Sequence, residues 1–322
     1  MKLTQLGNSS LRIPPLVFGG NVFGWTADKK TSFYLLDALL ERGLNFIDTA
    51  NVYSYWADGN EGGESEAIIG QWLKERKNRD KVIIATKVGS PMGKGSPNLS
   101  NAYINEQIDL SLKRLQTDYV DLYFSHKYDD STPQLETLKT YSSLINSGKV
   151  RALGASNFPL AVLREALQIA EDETLPRYEV IQPEYNLLER AGFEGEYQRF
   201  CSENNLGVIS YFTLASGFLT GKYKTIADAS GKERERFIKK YFNDRGTAVL
   251  NALKRLSDKY DCSQAAISIA WTTAQPGITA PIVSATKESH LKAFDEALKL
   301  NLDSEDLQIL DEVSLEKNNV DK

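Results

Sequence analysis

The sequence predicts an α/β chain closed into a (β/α)8 TIM barrel, with an N-terminal β-hairpin and extra helices and loops toward the C-terminus. Three observations predict it. Eight short β-rich runs recur along the 322 residues, and amphipathic stretches of helical period fill the intervals between them. Eight is the number of parallel strands that closes into a barrel. No GxGxxG follows the first run, where Gly19 and Gly20 stand alone before Asn21, so the phosphate-binding turn of a doubly wound dinucleotide sheet is missing. An open doubly wound sheet is the alternative arrangement of the same elements.

Taken in order, the turn-prone Gly7, Asn8, Ser9 and Ser10 between apolar positions predict a hairpin that plugs the barrel floor. Strands are expected at residues 16–18, 45–47, 82–86, 119–124, 150–154, 180–182, 207–211 and 278–282. Between the third and fourth, Ile104, Ile108, Leu112 and Leu115 fall on one helical face, as do Leu160, Leu163 and Leu167 between the fifth and sixth. Two intervals break the rhythm. The polar, aromatic and glycine-rich YSYWADGNEGGE runs from Tyr53 to Glu64, and the stretch between Tyr211 and Ile278 has room for an extra charged helix around residues 232–241. Long insertions at strand ends usually carry function. The tail after Leu315 is polar and is expected to fray. No low-complexity tract, repeat or internal boundary divides the chain, so one domain over residues 1–322 is expected.

Composition narrows the function. Hydrophobic residues at 41% and charged residues at 25% are ordinary for a globular chain. A net charge of -5 gives no broad attraction to nucleic acid or anionic membranes. No segment approaches the roughly 20 apolar residues of a membrane span, and residues 1–13 lack the apolar run of a signal peptide. A cytoplasmic chain with a small-molecule partner is expected, its oligomeric state left open. Cys201 and Cys262 lie far apart without a CxxC, and His126 and His290 without an HExxH, so neither a disulfide framework nor a metal site is expected. Serine nucleophile chemistry lacks a GxSxG turn.

The residues suited to chemistry sit at strand ends. Asp48, Lys87 and His126 end or follow the second, third and fourth runs, and Tyr53 lies just beyond Asp48. In a barrel the C-terminal strand ends converge on one cleft, which gathers a carboxylate, an ammonium, an imidazole and a phenol. Singly, Asp48 and Lys87 read as a rim ion pair, Tyr53 as a loop aromatic and His126 as a hydrogen-bonded strand end. Together they make a proton-transfer site. A phenol of ordinary pKa about 10 is a reluctant shuttle, and the expectation is that Lys87, oriented by Asp48, lowers the Tyr53 pKa while His126 positions a carbonyl oxygen. A Schiff-base aldolase using Lys87 is the rival enzyme class.

At these residues the chain resembles the aldo-keto reductase family. The matching segments are FIDTANVY, IIATKVG, DYVDLYFSHK, VRALGASNF, VIQPEYNLL and LASGFLTGKY, spread over nearly the whole length. The resemblance implies that Asp48, Tyr53, Lys87 and His126 form a catalytic tetrad and that NADPH, with NADH as the alternative, lies across the barrel mouth. It implies that Ser156, Asn157 and Gln182 hold the nicotinamide carboxamide and that Tyr211 stacks on its ring. Leu214, Ser216, Leu219 and Lys222 then occupy the pyrophosphate segment. In PIVSATKESHLKAF, Thr286 stands where relatives commonly carry arginine, and Ala293 and Phe294 replace Glu and Asn; Ser284 and Lys287 become the candidate 2′-phosphate contacts. Phe23, Trp25, Tyr55 and Trp56 are the candidate substrate-lining residues. An accessory, cofactor-binding regulatory module is the alternative that the same resemblance allows.

Overall fold

The structure, a computed structural model, describes residues 2–316. A hairpin of β1 (Thr4–Gln5) and β2 (Arg12–Ile13) precedes eight parallel strands: β3 (Val17–Gly19), β4 (Phe46–Asp48), β5 (Ile83–Val88), β6 (Val120–Ser125), β7 (Val150–Ser156), β8 (Val180–Gln182), β9 (Gly207–Ser210) and β10 (Ala280–Val283). The strands pair in sequence order, and β10 closes the barrel on β3 with Ile282 opposite Val17. The open-sheet alternative is thereby excluded.

Alternation along each strand divides the core in two. Val17, Phe46, Ala85, Leu122, Phe124, Val180, Ile209 and Ala280 fill the barrel interior, while Ile47, Ile84, Tyr123, Leu153, Ile181 and Val208 face the helices. Leu6, Leu11 and Ile13 of the hairpin join the interior cluster, so the hairpin plugs the floor as expected. Gly7 makes that approach possible: its φ is +57°, and a Cβ there would sit 2.7 Å from the Glu179 carbonyl oxygen at the foot of β8.

Outside lie α1 (Lys29–Glu41), α2 (Glu64–Arg76), α3 (Asn101–Leu115), α4 (Gln134–Asn146), α5 (Leu160–Asp172), α6 (Glu196–Glu203), the single turns α7 (Ile226–Ala229) and α8 (Glu235–Ile238), then α9 (Asp244–Lys259), α10 (Gln264–Ala274), α11 (Leu291–Ala297) and α12 (Ser304–Ser314). The face of α3 that is buried carries Ile104, Ile108, Leu112 and Leu115, as their spacing requires. Side-chain caps start several helices: Asp28 accepts from the Thr31 N–H at 2.8 Å and Asp303 from the Asp306 N–H at 2.9 Å.

Two expectations need correction. The charged helix around residues 232–241 is only the turn α8 followed by a 3-10 turn over Lys239–Tyr241. Its run KERERFIKKY offers too few apolar positions for a continuous buried stripe, and the segment crosses the barrel mouth instead of packing on the outer layer. The last strand is Ala280–Val283, not residues 278–282, because the Ile278 N–H turns back to the Gln275 carbonyl at 3.2 Å. The tail expected to fray lies, beyond residue 316, outside the described residues. Among those described, no helix is long and apolar enough to cross a membrane.

Candidate active site

Each candidate strand-end residue sits two positions beyond an interior core residue of a strand. Asp48 follows Phe46 on β4, Lys87 follows Ala85 on β5, His126 follows Phe124 past β6, and Gln182 follows Val180 on β8. The period of two therefore points all four into the barrel mouth. The His126 N–H bonds the Val88 carbonyl at 2.7 Å, and the Tyr53 carbonyl accepts from the Gly63 N–H at 2.8 Å, which anchors the loop that follows β4.

Lys87 is the hub. Its fully buried ammonium donates to Asp48 Oδ2 at 2.6 Å, to the Thr49 carbonyl at 2.8 Å and to Tyr53 Oη at 2.8 Å. All three ammonium protons are thereby used. Gln182 Nε2 holds the other oxygen of Asp48 at 2.9 Å. The Tyr53 hydroxyl reaches Asp48 Oδ2 only at 3.3 Å, a weak acceptor contact, so its proton is available to another oxygen. The His126 ring lies edge-on to Tyr53 with centroids 6.0 Å apart.

The electrostatics differ from the expectation in one respect. Burial first, and then the Asp48 carboxylate, push the Tyr53 phenol well above its ordinary range. Lys87 was expected to lower it; burial dominates and the shift runs the other way. Burial, followed by Lys87 and Lys127, pushes His126 well below its ordinary range, which makes it a neutral imidazole. Burial also lowers Lys87, against the opposing pull of Asp48.

A buried scaffold stands behind the hub. Thr86, facing outward on β5, donates to Glu66 at 2.5 Å, and Arg114 Nε donates to the same fully buried carboxylate at 2.7 Å. The Arg114 side chain also lies against Gly63, where a Cβ would overlap it, and Gly63 is the residue that anchors the Tyr53 carbonyl.

A cleft of about 1510 Å³ opens from these residues across the barrel mouth. Ser156, Asn157, Gln182, Tyr211, Leu214, Ser216, Lys222, Ser284 and Lys287 line it. Asn157 is fixed there by donating to the His126 carbonyl at 3.0 Å and accepting from the Tyr211 hydroxyl at 2.7 Å. Ser284 donates to Asn21 Oδ1 at 2.7 Å. Leu219 does not line the cleft: it is fully buried in the helical layer, and its N–H is spent on the Leu214 carbonyl at 3.3 Å. Trp25, Tyr55 and Trp56 also line it, whereas Phe23 is buried and stacks on Phe18 at 5.3 Å, so it is a core residue and not part of the rim.

Sequence reasoning missed the cations of the far end. Lys232, Arg234 and Arg236 join Lys222 and Lys287 along the cleft, and Lys222, Lys287 and Arg234, after burial, hold His290 below its ordinary range. The charged run KERER was the available signal, but periodicity gave no hint that it folds over the mouth. Phe294, read as a departure in the cofactor segment, is buried against Phe18 at 6.5 Å. Among the described residues no group of three or more His, Cys, Asp or Glu is placed to hold a metal ion.

The model of the aldo/keto reductase family matches residues 15–315. The uncharacterized oxidoreductase YrpG of Bacillus subtilis is 34% identical over 321 residues, covering 97% of this chain and 96% of the relative. The aldo-keto reductase YhdN of the same organism is 33% identical over 309 residues, 94% of this chain and 89% of the relative. A probable voltage-gated potassium channel subunit beta from Oryza sativa subsp. japonica is 34% identical over 310 residues, 92% of each chain.

Proposed function

The chain belongs to the aldo/keto reductase family, and from that premise we propose that it is an NAD(P)H-dependent reductase of a small aldehyde, ketone or sugar carbonyl, with Tyr53 as the proton donor. The observation that carries this reading is the Lys87 ammonium bridging Asp48 at 2.6 Å and Tyr53 at 2.8 Å behind a cleft in which Lys287, Lys222 and Arg234 gather around His290. A cleft of about 1510 Å³ is larger than the roughly 300–1,000 Å³ of an ordinary small-molecule site and suits a dinucleotide laid out beside a substrate.

A bound reduced nicotinamide supplies the hydride for the carbonyl carbon. As negative charge develops on the carbonyl oxygen, the Tyr53 O–H bond breaks and its proton forms the new alcohol O–H. The phenolate left behind keeps the Lys87 ammonium as its donor, and Asp48 holds that ammonium in place. Neutral His126 has one N–H to direct at the carbonyl oxygen. In the oxidative direction the phenolate takes the alcohol proton back.

Ser156, Asn157 and Gln182 have the hydroxyl and amide groups that bond a carboxamide, and Tyr211 offers a flat ring for the nicotinamide. Leu214, Ser216 and Lys222 suit the pyrophosphate; Ser284 and Lys287, with the neighbouring cations, suit a 2′-phosphate, which favours NADP over NAD. Trp25, Tyr55 and Trp56 suit an apolar or sugar-stacking substrate. The test is to titrate NADPH and NADH separately and to follow carbonyl-dependent loss of reduced-nicotinamide absorbance. Binding of neither dinucleotide sinks the reading.

A second reading is favoured by the channel-subunit name of one relative: an accessory module that binds the cofactor and reports its redox state. Negligible turnover with every carbonyl, together with tight dinucleotide binding, would select it. The three acceptors around Lys87 speak against the aldolase.

A further inference from the structure

The segment that crosses the barrel mouth carries a guanidinium without an acceptor. Arg234 is half-buried in the cleft, yet no carboxylate or carbonyl among the described residues accepts from it, and burial lowers its pKa. Burying a cation without a partner is costly, and a guanidinium that keeps all its donors free is suited to phosphate oxygens. Its charge already has an aromatic neighbour. The Arg234 Cζ lies over the Trp25 ring, 5.5 Å from the centroid, while the preceding Glu233 accepts from Trp25 Nε1 at 3.2 Å. Two consecutive residues of one strap thus hold both the face and the edge of Trp25.

Trp25 leads back to the chemistry. It meets Trp56 edge-on at 5.7 Å, and Trp56 meets Tyr53 at 5.7 Å. An unbroken aromatic line therefore runs from the strap to the proton donor along the wall assigned to substrate. Arg234 also belongs with Lys287 and Lys222 to the cations that act on His290 in the same cleft.

We propose that Arg234 couples the two halves of the site: its donors take a phosphate of the dinucleotide while its face fixes Trp25, so that the loaded cofactor sets the wall against which the carbonyl substrate packs. The inference rests on the dinucleotide reading given above. Arg234 acts on the substrate through Trp25 and is a positioning residue toward it. The strap is anchored by fully buried Ile238 and by Phe237 against Phe212 at 6.1 Å, while Trp25 is held to it by one exposed hydrogen bond and one cation-π contact.

The test measures two quantities on the full chain: dinucleotide Kd by tryptophan quenching without carbonyl, and carbonyl KM and kcat at saturating dinucleotide. Arg234→Leu is expected to weaken dinucleotide binding about tenfold and to raise the KM of a bulky aromatic aldehyde several-fold, with kcat changed less. Arg234→Lys keeps the charge but not the planar face, so it should recover most of the dinucleotide affinity while KM stays raised. In a Trp25→Ala background, Arg234→Leu should still weaken the dinucleotide but leave KM where Trp25→Ala alone put it. Additive effects on KM overturn the coupling. Dinucleotide binding to the wild type with unchanged affinity in Arg234→Leu overturns the strap alone, whereas no binding to the wild type overturns the cofactor reading as well. Loss of affinity for NADPH but not NADH assigns Arg234 to the 2′-phosphate, and loss for both assigns it to the pyrophosphate; either supports the proposal.

Discussion

Lys87 donates to the Tyr53 hydroxyl oxygen at 2.8 Å from a position closed to solvent, with its other two protons held by Asp48 and the Thr49 carbonyl. The ammonium is thus aimed at the one atom whose charge changes when Tyr53 gives up its proton. Donors fixed in advance around a developing charge, inside a low-dielectric site, are the strongest electrostatic device available to a protein.

Replacing Lys87 by Met removes that donor and leaves Asp48 buried without its cation. Turnover in carbonyl reduction is expected to fall roughly 100- to 10,000-fold. Asp48→Asn, which keeps the shape but frees Lys87, should fall in the same direction. Steady-state kinetics at saturating dinucleotide check both, and near-wild-type turnover in Lys87→Met would remove Lys87 from the mechanism.

The pH dependence follows from two displaced groups. Tyr53 is pushed above its ordinary range by burial and Asp48, so it keeps its proton as pH rises toward about 10. His126 is pushed below its ordinary range by burial and the lysines, so it stays neutral as pH falls past about 6.5. Reduction is expected to be flat between these limits, while alcohol oxidation, which needs the phenolate, climbs through the alkaline range. A reductive rate that falls by half near about pH 8 would mean that the donor has a lowered pKa, as Lys87 alone would have given.

Arg114 balances the fully buried Glu66 carboxylate at 2.7 Å. Arg114→Met leaves that charge unpaired and is expected to cost about 3–5 kcal/mol of stability in urea unfolding. The double variant with Glu66→Gln should recover part of the loss, because the uncompensated charge is then gone. Equal losses in the single and double variants would show that the cost is packing.

Lys222 and Lys287 face the cationic end of the cleft. If Lys287 takes the 2′-phosphate, Lys287→Met should weaken NADPH about tenfold and NADH little, and Lys222→Met should weaken both if it serves the pyrophosphate. Calorimetric Kd values at fixed salt decide this. Equal effects of Lys287→Met on the two dinucleotides would remove the NADP preference.

Much of the barrel and its catalytic end was legible because both obey a period of two. Phe46, Ala85, Phe124 and Val180 fill the interior, and the residue two places on from each, Asp48, Lys87, His126 and Gln182, inherits their direction. The family resemblance then gave those positions their expected roles. Distances between strands are not written in one sequence: that Lys87 spends all three protons, or that burial and then Asp48 raise Tyr53, needs the folded site. Phe23 was misread for a different reason. An aromatic on a strand-end loop can face either the core or the mouth, and only its stacking on Phe18 decides. The strap was missed because Trp25 and Glu233 meet across 208 residues of chain, a pairing that no local pattern encodes.

The central claim is that the Tyr53 hydroxyl supplies the proton, and Tyr53→Phe tests it with one missing oxygen. Turnover should fall roughly 100- to 10,000-fold while NADPH binds within about twofold of wild type, since the hydroxyl acts chiefly in the transition state. Full carbonyl-reducing activity in Tyr53→Phe would contradict the account.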